Sequence, residues 1–169
     1  MVNRIWATFC NMKFKAFVLG LLVQKYQIWD RNINIFLALT SSGSIAAWAV
    51  WQKYPLIWGC LIATSQVIMT IKPFFPYHKL VKELNAKSLH VDILNIEFED
   101  FWNKANRGKL TEDEIQEQYF QFNKSYASVL NFSDDLLFTT SREIEHKANL
   151  RMKIFLRTFY NIEINPQKV

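Results

Sequence analysis

The apolar and polar positions of this chain fall into distinct regimes. From Ile33 to Trp51 and from Tyr54 to Ile71 the sequence runs 19 and 18 residues without a charge, with only Gln52 and Lys53 between them. At about 1.5 Å of rise per residue, each run makes a helix roughly 27–29 Å long, close to the thickness of a bilayer's hydrocarbon core. A backbone in lipid must satisfy its own hydrogen bonds, so the two runs predict a transmembrane helical hairpin. Beyond Lys72-Pro73-Phe74-Phe75-Pro76 the pattern changes. Pro73 turns Lys72 away from helical geometry and Pro76 suits a helix start. Tyr77, Leu80, Leu84, Val91, Leu94, Phe98 and Phe101 then recur at heptad spacing, interrupted only at Lys87. They predict a long post-membrane helix of roughly 28 residues, ended by Asn106-Arg107-Gly108.

A second soluble helix opens at Thr111, with Glu114 three residues on completing a capping box. Its stripe is Ile115, Tyr119, Phe122, Tyr126 and Val129. A weaker break at Asn131–Asp134, with Ser133 as the cap, leads to a third stripe of Leu137, Thr140, Ile144, Ala148, Met152, Phe155 and Phe159. No strand pattern of useful length occurs, and the tail from Ile164 to Val169 is expected to fray. The fold class predicted is therefore an all-α membrane protein: a two-helix transmembrane hairpin plus a cytoplasmic bundle of three helices, to which the N-terminal segment can add. The corresponding division is 1–31 (an N-terminal cytoplasmic or interfacial helix), 32–72 (the hairpin) and 73–169 (the bundle).

The N-terminal segment needs separate treatment. Lys13 and Lys15 precede Ala16–Val23, eight apolar residues that are too short to span. Gln24-Lys25-Tyr26 follows rather than a small-residue cleavage site. A retained amphipathic or interfacial helix fits better than a cleaved signal.

Charge then sets orientation. Half of the 169 residues are hydrophobic, yet the mean hydropathy is −0.03, because the apolar content is concentrated in the hairpin. Residues 1–87 carry a net charge of +8 and residues 88–169 a net charge of −3. Arg4, Lys13, Lys15, Lys25 and Arg31 precede the first run, and Lys72, Lys79, Lys82 and Lys87 follow the second, against Lys53 alone in the connection. Positive charge resists translocation, so both termini are expected in the cytoplasm of a bacterial inner membrane. Trp48, Trp51, Tyr54 and Trp58 ring the loop end. Trp29, Phe74, Phe75 and Tyr77 mark the cytoplasmic end, where aromatic rings favour the headgroup level. Membrane flanking accounts for the pI of about 9.2, and no direct DNA binding is expected.

Polar residues inside the runs are few and uncharged. At about 100° per residue, Thr40, Ser44 and Ala47 share one face of the first run, and Gly59, Ala63, Gln66 and Thr70 share one face of the second. Small residues allow close backbone approach and Gln66 can bond between helices. These faces either pack a hairpin or homo-oligomer, or line a water-filled pore built by several subunits. Such a pore would discriminate weakly among ions, because neither face carries a ring of charge.

Catalytic chemistry is sparse, and no enzyme, cofactor or metal is expected. His78, His90 and His146 sit in no ligand motif. Cys10 and Cys60 read as small apolar residues with no disulfide between them. Glu99-Asp100, Glu112-Asp113-Glu114 and Asp134-Asp135 suit solvated faces and helix starts better than catalytic dyads. Four glycines do not make a phosphate loop. Lys147, Arg151, Lys153 and Arg157 form a basic patch on the last helix, read either as ion pairs with neighbouring acids or as a contact for an anionic ligand or partner.

The hairpin, the entry Gln24-Lys25-Tyr26-Gln27-Ile28-Trp29-Asp30-Arg31 and the long post-membrane helix together resemble the SLATT proteins, two-transmembrane effectors of bacterial nucleotide-signalling defence systems. The resemblance covers about residues 16–160, is mainly architectural, and carries no functional residue across. It implies an oligomeric effector that perturbs or permeabilises the inner membrane in abortive infection, once a defence-system sensor or nucleotide signal detects a phage. The other readings are a non-lytic anchor or scaffold whose bundle binds a partner protein, and a phage holin. The bundle is longer than a holin needs.

Overall fold

The computed structural model describes residues 1–46, 55–72, 77–131 and 140–162. Among them the chain is all-helical: α1 (Val2–Ala46), α2 (Pro55–Ile71), α3 (Tyr77–Asn106), α4 (Glu112–Val129) and α5 (Arg142–Tyr160). The connection at Gln52 and Lys53, the aromatic residues Trp48, Trp51 and Tyr54, Ala47, the Pro73–Pro76 turn, the cap at Ser133, Leu137 and the tail from Ile164 lie outside the described residues.

The N-terminal segment and the first apolar run are one helix rather than two. No proline lies within α1, and at the expected junction Asn34 Nδ2 donates to Asp30 Oδ2 at 3.1 Å along the helix. Charged residues at 30 and 31 carry a helix as well as they would end one, because ending it takes a backbone signal. Val2–Ser41 is long and apolar enough to cross a membrane, the one such stretch among the described residues. Gly59–Ile71 in α2 is a shorter apolar helix.

The chain divides into two compact units: Met1–Val23 with Glu83–Val169, and Gln24–Lys82. Among the described residues the first is a bundle of four helical segments, α3, α4 and α5 joined by the start of α1, an addition the sequence left open. Ile5, Phe9, Met12, Ala16 and Leu19 are buried at 4-3-4-3 spacing, so the start of α1 is a core element with its own heptad stripe. Phe9 stacks on Phe98 of α3, with ring centroids 6.3 Å apart and planes within 1°. Trp6 meets Trp102 at 4.7 Å and Tyr160 of α5 at 4.8 Å. These pairings run α1 antiparallel to α3 and to α5. The hydroxyls of Thr8 and Tyr119 lie 3.0 Å apart and Lys15 sits over the Tyr126 ring, which sets α1 and α4 parallel.

The predicted stripes pack this core. Leu84, Val91, Phe98 and Phe101 of α3 are buried, Leu94 is half-buried, and Asn95 beside it is fully buried; Leu80, also buried, belongs to the second unit. Phe122 of α4 lies 5.3 Å from Phe98 and 5.4 Å from Phe101. Lys87, the break in the heptad, is half-buried, and its ammonium donates to the backbone carbonyls of Val129 (3.2 Å) and Asn131. The α3 end is a Schellman motif. Gly108 adopts φ 65°, its N–H donates to Ala105 O at 3.1 Å, and the Lys109 N–H donates to Lys104 O at 3.0 Å. The capping box opens α4 as expected: Glu114 N–H donates to Thr111 Oγ1 at 3.3 Å and Thr111 N–H donates to Glu114 Oε2 at 2.8 Å.

In α5 the helix begins after Ser141, so Thr140 precedes it. Its buried line is Ile144, Ala148, Met152 and Leu156, with Phe155 half-buried. Phe159 is exposed, unlike the expectation. The line advances every four residues, and Leu156 takes the inward place near the end of the helix.

Candidate functional site

The second unit holds the polar positions of the apolar runs. Within Gln24–Lys82, α1 and α2 line a groove of about 500 Å³. Asn34, Thr40 and Ser41 from α1, Ser65 and Gln66 from α2 and Lys72 just beyond its end supply its polar wall. Leu37, Ala38, Ile62 and Met69 supply the apolar part. At the Lys72 end, the ammonium donates to Asn34 Oδ1, so its single charge is tied to an amide.

Helix geometry explains how so many hydroxyls reside in an apolar pair of helices. Thr40 Oγ1 donates to Phe36 O or Leu37 O, each at 3.0 Å, and Ser41 Oγ to Ala38 O at 3.0 Å. On α2, Thr64 donates to Cys60 O, Ser65 to Ile62 O and Thr70 to Gln66 O, all at 2.8 Å. Each O–H is therefore satisfied by its own helix, which removes most of the cost of taking it from water. The hydroxyl lone pairs stay available as acceptors.

The expected small and polar faces are split by this arrangement. Thr40 and Gln66 come together on the groove. Gly59, Ala63 and Thr70 are exposed on α2 and line no part of it. A methyl group built on Gly59 would meet nothing within 4 Å, so no close approach among the described residues of one chain depends on this glycine. Ser44 belongs to the helix α1, but its side chain, like Ala47, lies outside what is described. Ser65, Asn34 and Ser41 were not singled out by the sequence, and Lys72 stood there only as a flanking cation. Ile62, Ser65, Met69 and Lys72 recur at 3-4-3 spacing, and that line carried the missing signal. Outside the groove, Ile35, Leu39, Leu56, Ile57 and Val67 are exposed apolar residues of α1 and α2.

The basic patch lies in the other unit. Lys147, Arg151, Lys153 and Arg157 are all exposed along α5, and Lys147 pairs with Glu143 one turn earlier at 2.6 Å. His90 and His146 are exposed on α3 and α5. Among the described residues no three His, Cys, Asp or Glu side chains gather to hold a metal ion. Cys10 is half-buried, and burial raises its thiol pKa, which leaves it less reactive.

Among the described residues of the bundle, the buried atoms Asn95 Oδ1, Trp102 Nε1 and Tyr126 Oη have no hydrogen-bond partner. Asn95 Nδ2 donates to Val91 O at 2.8 Å. Burial pushes the Tyr126 phenol up to about 12. Burial, and then the Glu99 carboxylate that accepts its hydroxyl at 2.6 Å, also raise the Tyr160 phenol. Both phenols stay protonated across the physiological range.

The chain matches no family model, no curated protein and no solved structure.

Proposed function

We propose that the protein is an oligomeric effector of the bacterial inner membrane. On this reading α1 and α2 insert as a hairpin with both termini cytoplasmic, copies associate through α2, and the assembly permeabilises the membrane when an upstream anti-phage sensor or nucleotide signal activates it. The observation that carries the reading is the open side of α2. Among the described residues the Gln66 side-chain amide makes no hydrogen bond, and it stands beside the exposed Gly59 and Ala63 on a helix that also exposes Leu56, Ile57, Val67 and Met69. An amide at that depth needs a partner, and a small-residue face gives a second helix room to supply it. Water is the other partner chemistry allows, and the groove polar wall around Gln66 offers it acceptors. The layout shared with SLATT proteins supports the same assignment.

The test is membrane potential in living cells. Induced native protein, with its trigger where one is needed, is expected to depolarise them. Ala63→Leu/Gln66→Leu, which fills the face and removes the amide without opposing insertion, is expected to leave the potential intact. If the native protein also leaves it intact at confirmed insertion, the effector reading fails and a non-lytic anchor, whose bundle binds a partner protein, replaces it.

A further inference from the structure

The mouth of the groove between α1 and α2 holds two opposite charges apart. Asp30 and Asn34 lie one turn apart on α1, and Lys72 follows the end of α2. Asn34 joins them: its Nδ2 donates to Asp30 Oδ2 at 3.1 Å, and its Oδ1 accepts from the Lys72 ammonium. Among the described residues Asp30 and Lys72 form no direct ion pair, because the amide stands between them. The ammonium has two further N–H groups and the carboxylate a second oxygen. Asp30 precedes the uncharged run 33–51 and Lys72 follows the uncharged run 54–71, so an inserted hairpin carries both charges at headgroup level. Deeper in the groove, Thr40, Ser65 and Gln66 face the apolar Leu37, Ile62 and Met69.

We infer that this groove binds a phospholipid of the cytoplasmic leaflet whose headgroup carries both a phosphate and a primary ammonium, a phosphoethanolamine lipid. The phosphate meets the Lys72 ammonium, and the lipid ammonium meets the Asp30 carboxylate one turn outside the groove, both through charge-assisted hydrogen bonds. The glycerol esters and the upper part of an acyl chain then follow the groove, whose walls are polar on one side and apolar on the other. A choline headgroup fits less well, because its quaternary nitrogen has no N–H to donate. A glycerol headgroup brings no cation to Asp30. Water alone satisfies the polar wall but leaves Leu37, Ile62 and Met69 against it. The inference rests on the proposed membrane insertion, which presents the groove to lipid at high effective concentration.

The test is native mass spectrometry of the full chain, released from detergent micelles that hold equimolar phosphatidylethanolamine, phosphatidylglycerol and phosphatidylcholine of one chain length. The inference predicts phosphatidylethanolamine retained in several-fold excess over each of the others. Lys72→Gln should lower that retention about tenfold, the weight of one hydrogen bond to a charged group, and Lys72→Arg should restore it. Asp30→Asn should remove the preference over phosphatidylglycerol. Ser65→Leu, which fills the groove and leaves both charges in place, should also lower retention. Equal retention of the three lipids, or retention that ignores Lys72→Gln and Asp30→Asn, overturns the site. Soluble phosphoethanolamine at the same concentration should not displace the lipid. Displacement would make the free zwitterion the ligand and also overturns the lipid assignment. A nitroxide on Ala63→Cys, in a chain carrying Cys10→Ser and Cys60→Ser, reports insertion into nanodiscs separately. A label in lipid without headgroup selectivity leaves the hairpin standing and removes the site. If that label is in water, insertion and the lipid site fall together.

Discussion

The place of Phe9 decides whether the start of the chain is a core element or a helix lying in the headgroups. Its side chain is fully buried, stacked on Phe98 at 6.3 Å and close to Phe155 and Tyr160, each at 6.3 Å. Truncating a buried phenylalanine costs about 3–5 kcal/mol in lost transfer energy and cavity. Phe9→Ala should therefore destabilise the bundle by about that amount, and Phe98→Ala by a similar amount. Both are large against a total stability of about 5–15 kcal/mol. Because the rings touch, the double variant should fall short of the summed effects by about 0.5–1.5 kcal/mol. Denaturant titration of the detergent-solubilised full chain measures this, followed by near-ultraviolet circular dichroism from the Trp6–Trp102 contact at 4.7 Å. An interfacial segment would leave the midpoint unmoved by Phe9→Ala, and strict additivity in the cycle would place the two rings apart. Either result would refute the four-segment core.

Asn95→Leu should stabilise the bundle by about 1–3 kcal/mol in the same titration, because it removes a buried carbonyl oxygen that has no partner. A loss of stability would mean that Oδ1 is satisfied or that leucine does not fit. Thr111→Ala should cost about 1 kcal/mol through the lost cap, read as faster amide exchange in the first turn of α4. Hydrogen bonds from the Thr111 backbone and side chain hold the Glu114 carboxyl below its ordinary value. Its contribution is therefore present above the ordinary glutamate range and is lost as pH falls through the folded value, and Glu114→Gln should remove that acid-side dependence of α4 exchange. For topology, a cysteine at Gln52 should react with an impermeant thiol reagent added outside intact cells and one at Lys168 should not. The reverse pattern contradicts the orientation.

The bundle was legible where apolar residues stood alone against polar neighbours. Leu84, Val91, Phe98, Ile115, Ile144 and Ala148 each stand out in that way, and each is buried. The Thr111–Glu114 box and the Gly108 stop carry backbone chemistry that depends on local residues only, so both could be read directly. The stripe of Ile5, Phe9, Met12, Ala16 and Leu19 was hidden because Trp6, Phe14, Phe17, Val18 and Leu21 surround it, making the segment apolar on every side. The polar groove was half legible. Small and polar residues marked Thr40 and Gln66, but the choice among faces of α2 depends on which one meets α1, and that is a tertiary fact. Ser65 falls on the meeting face. Gly59 and Ala63 fall outside it.

Association through the open face of α2 is the central claim, and disulfide trapping in native membranes tests it most directly. In a chain carrying Cys10→Ser and Cys60→Ser, cysteine at Ala63 should give dimers under mild oxidation. Cysteine at Ile57, exposed but about a third of a turn away, should give few. Adding Gln66→Leu should reduce the Ala63→Cys product. A chain that stays monomeric through Ala63→Cys, at confirmed insertion and under conditions that depolarise cells, would contradict the account.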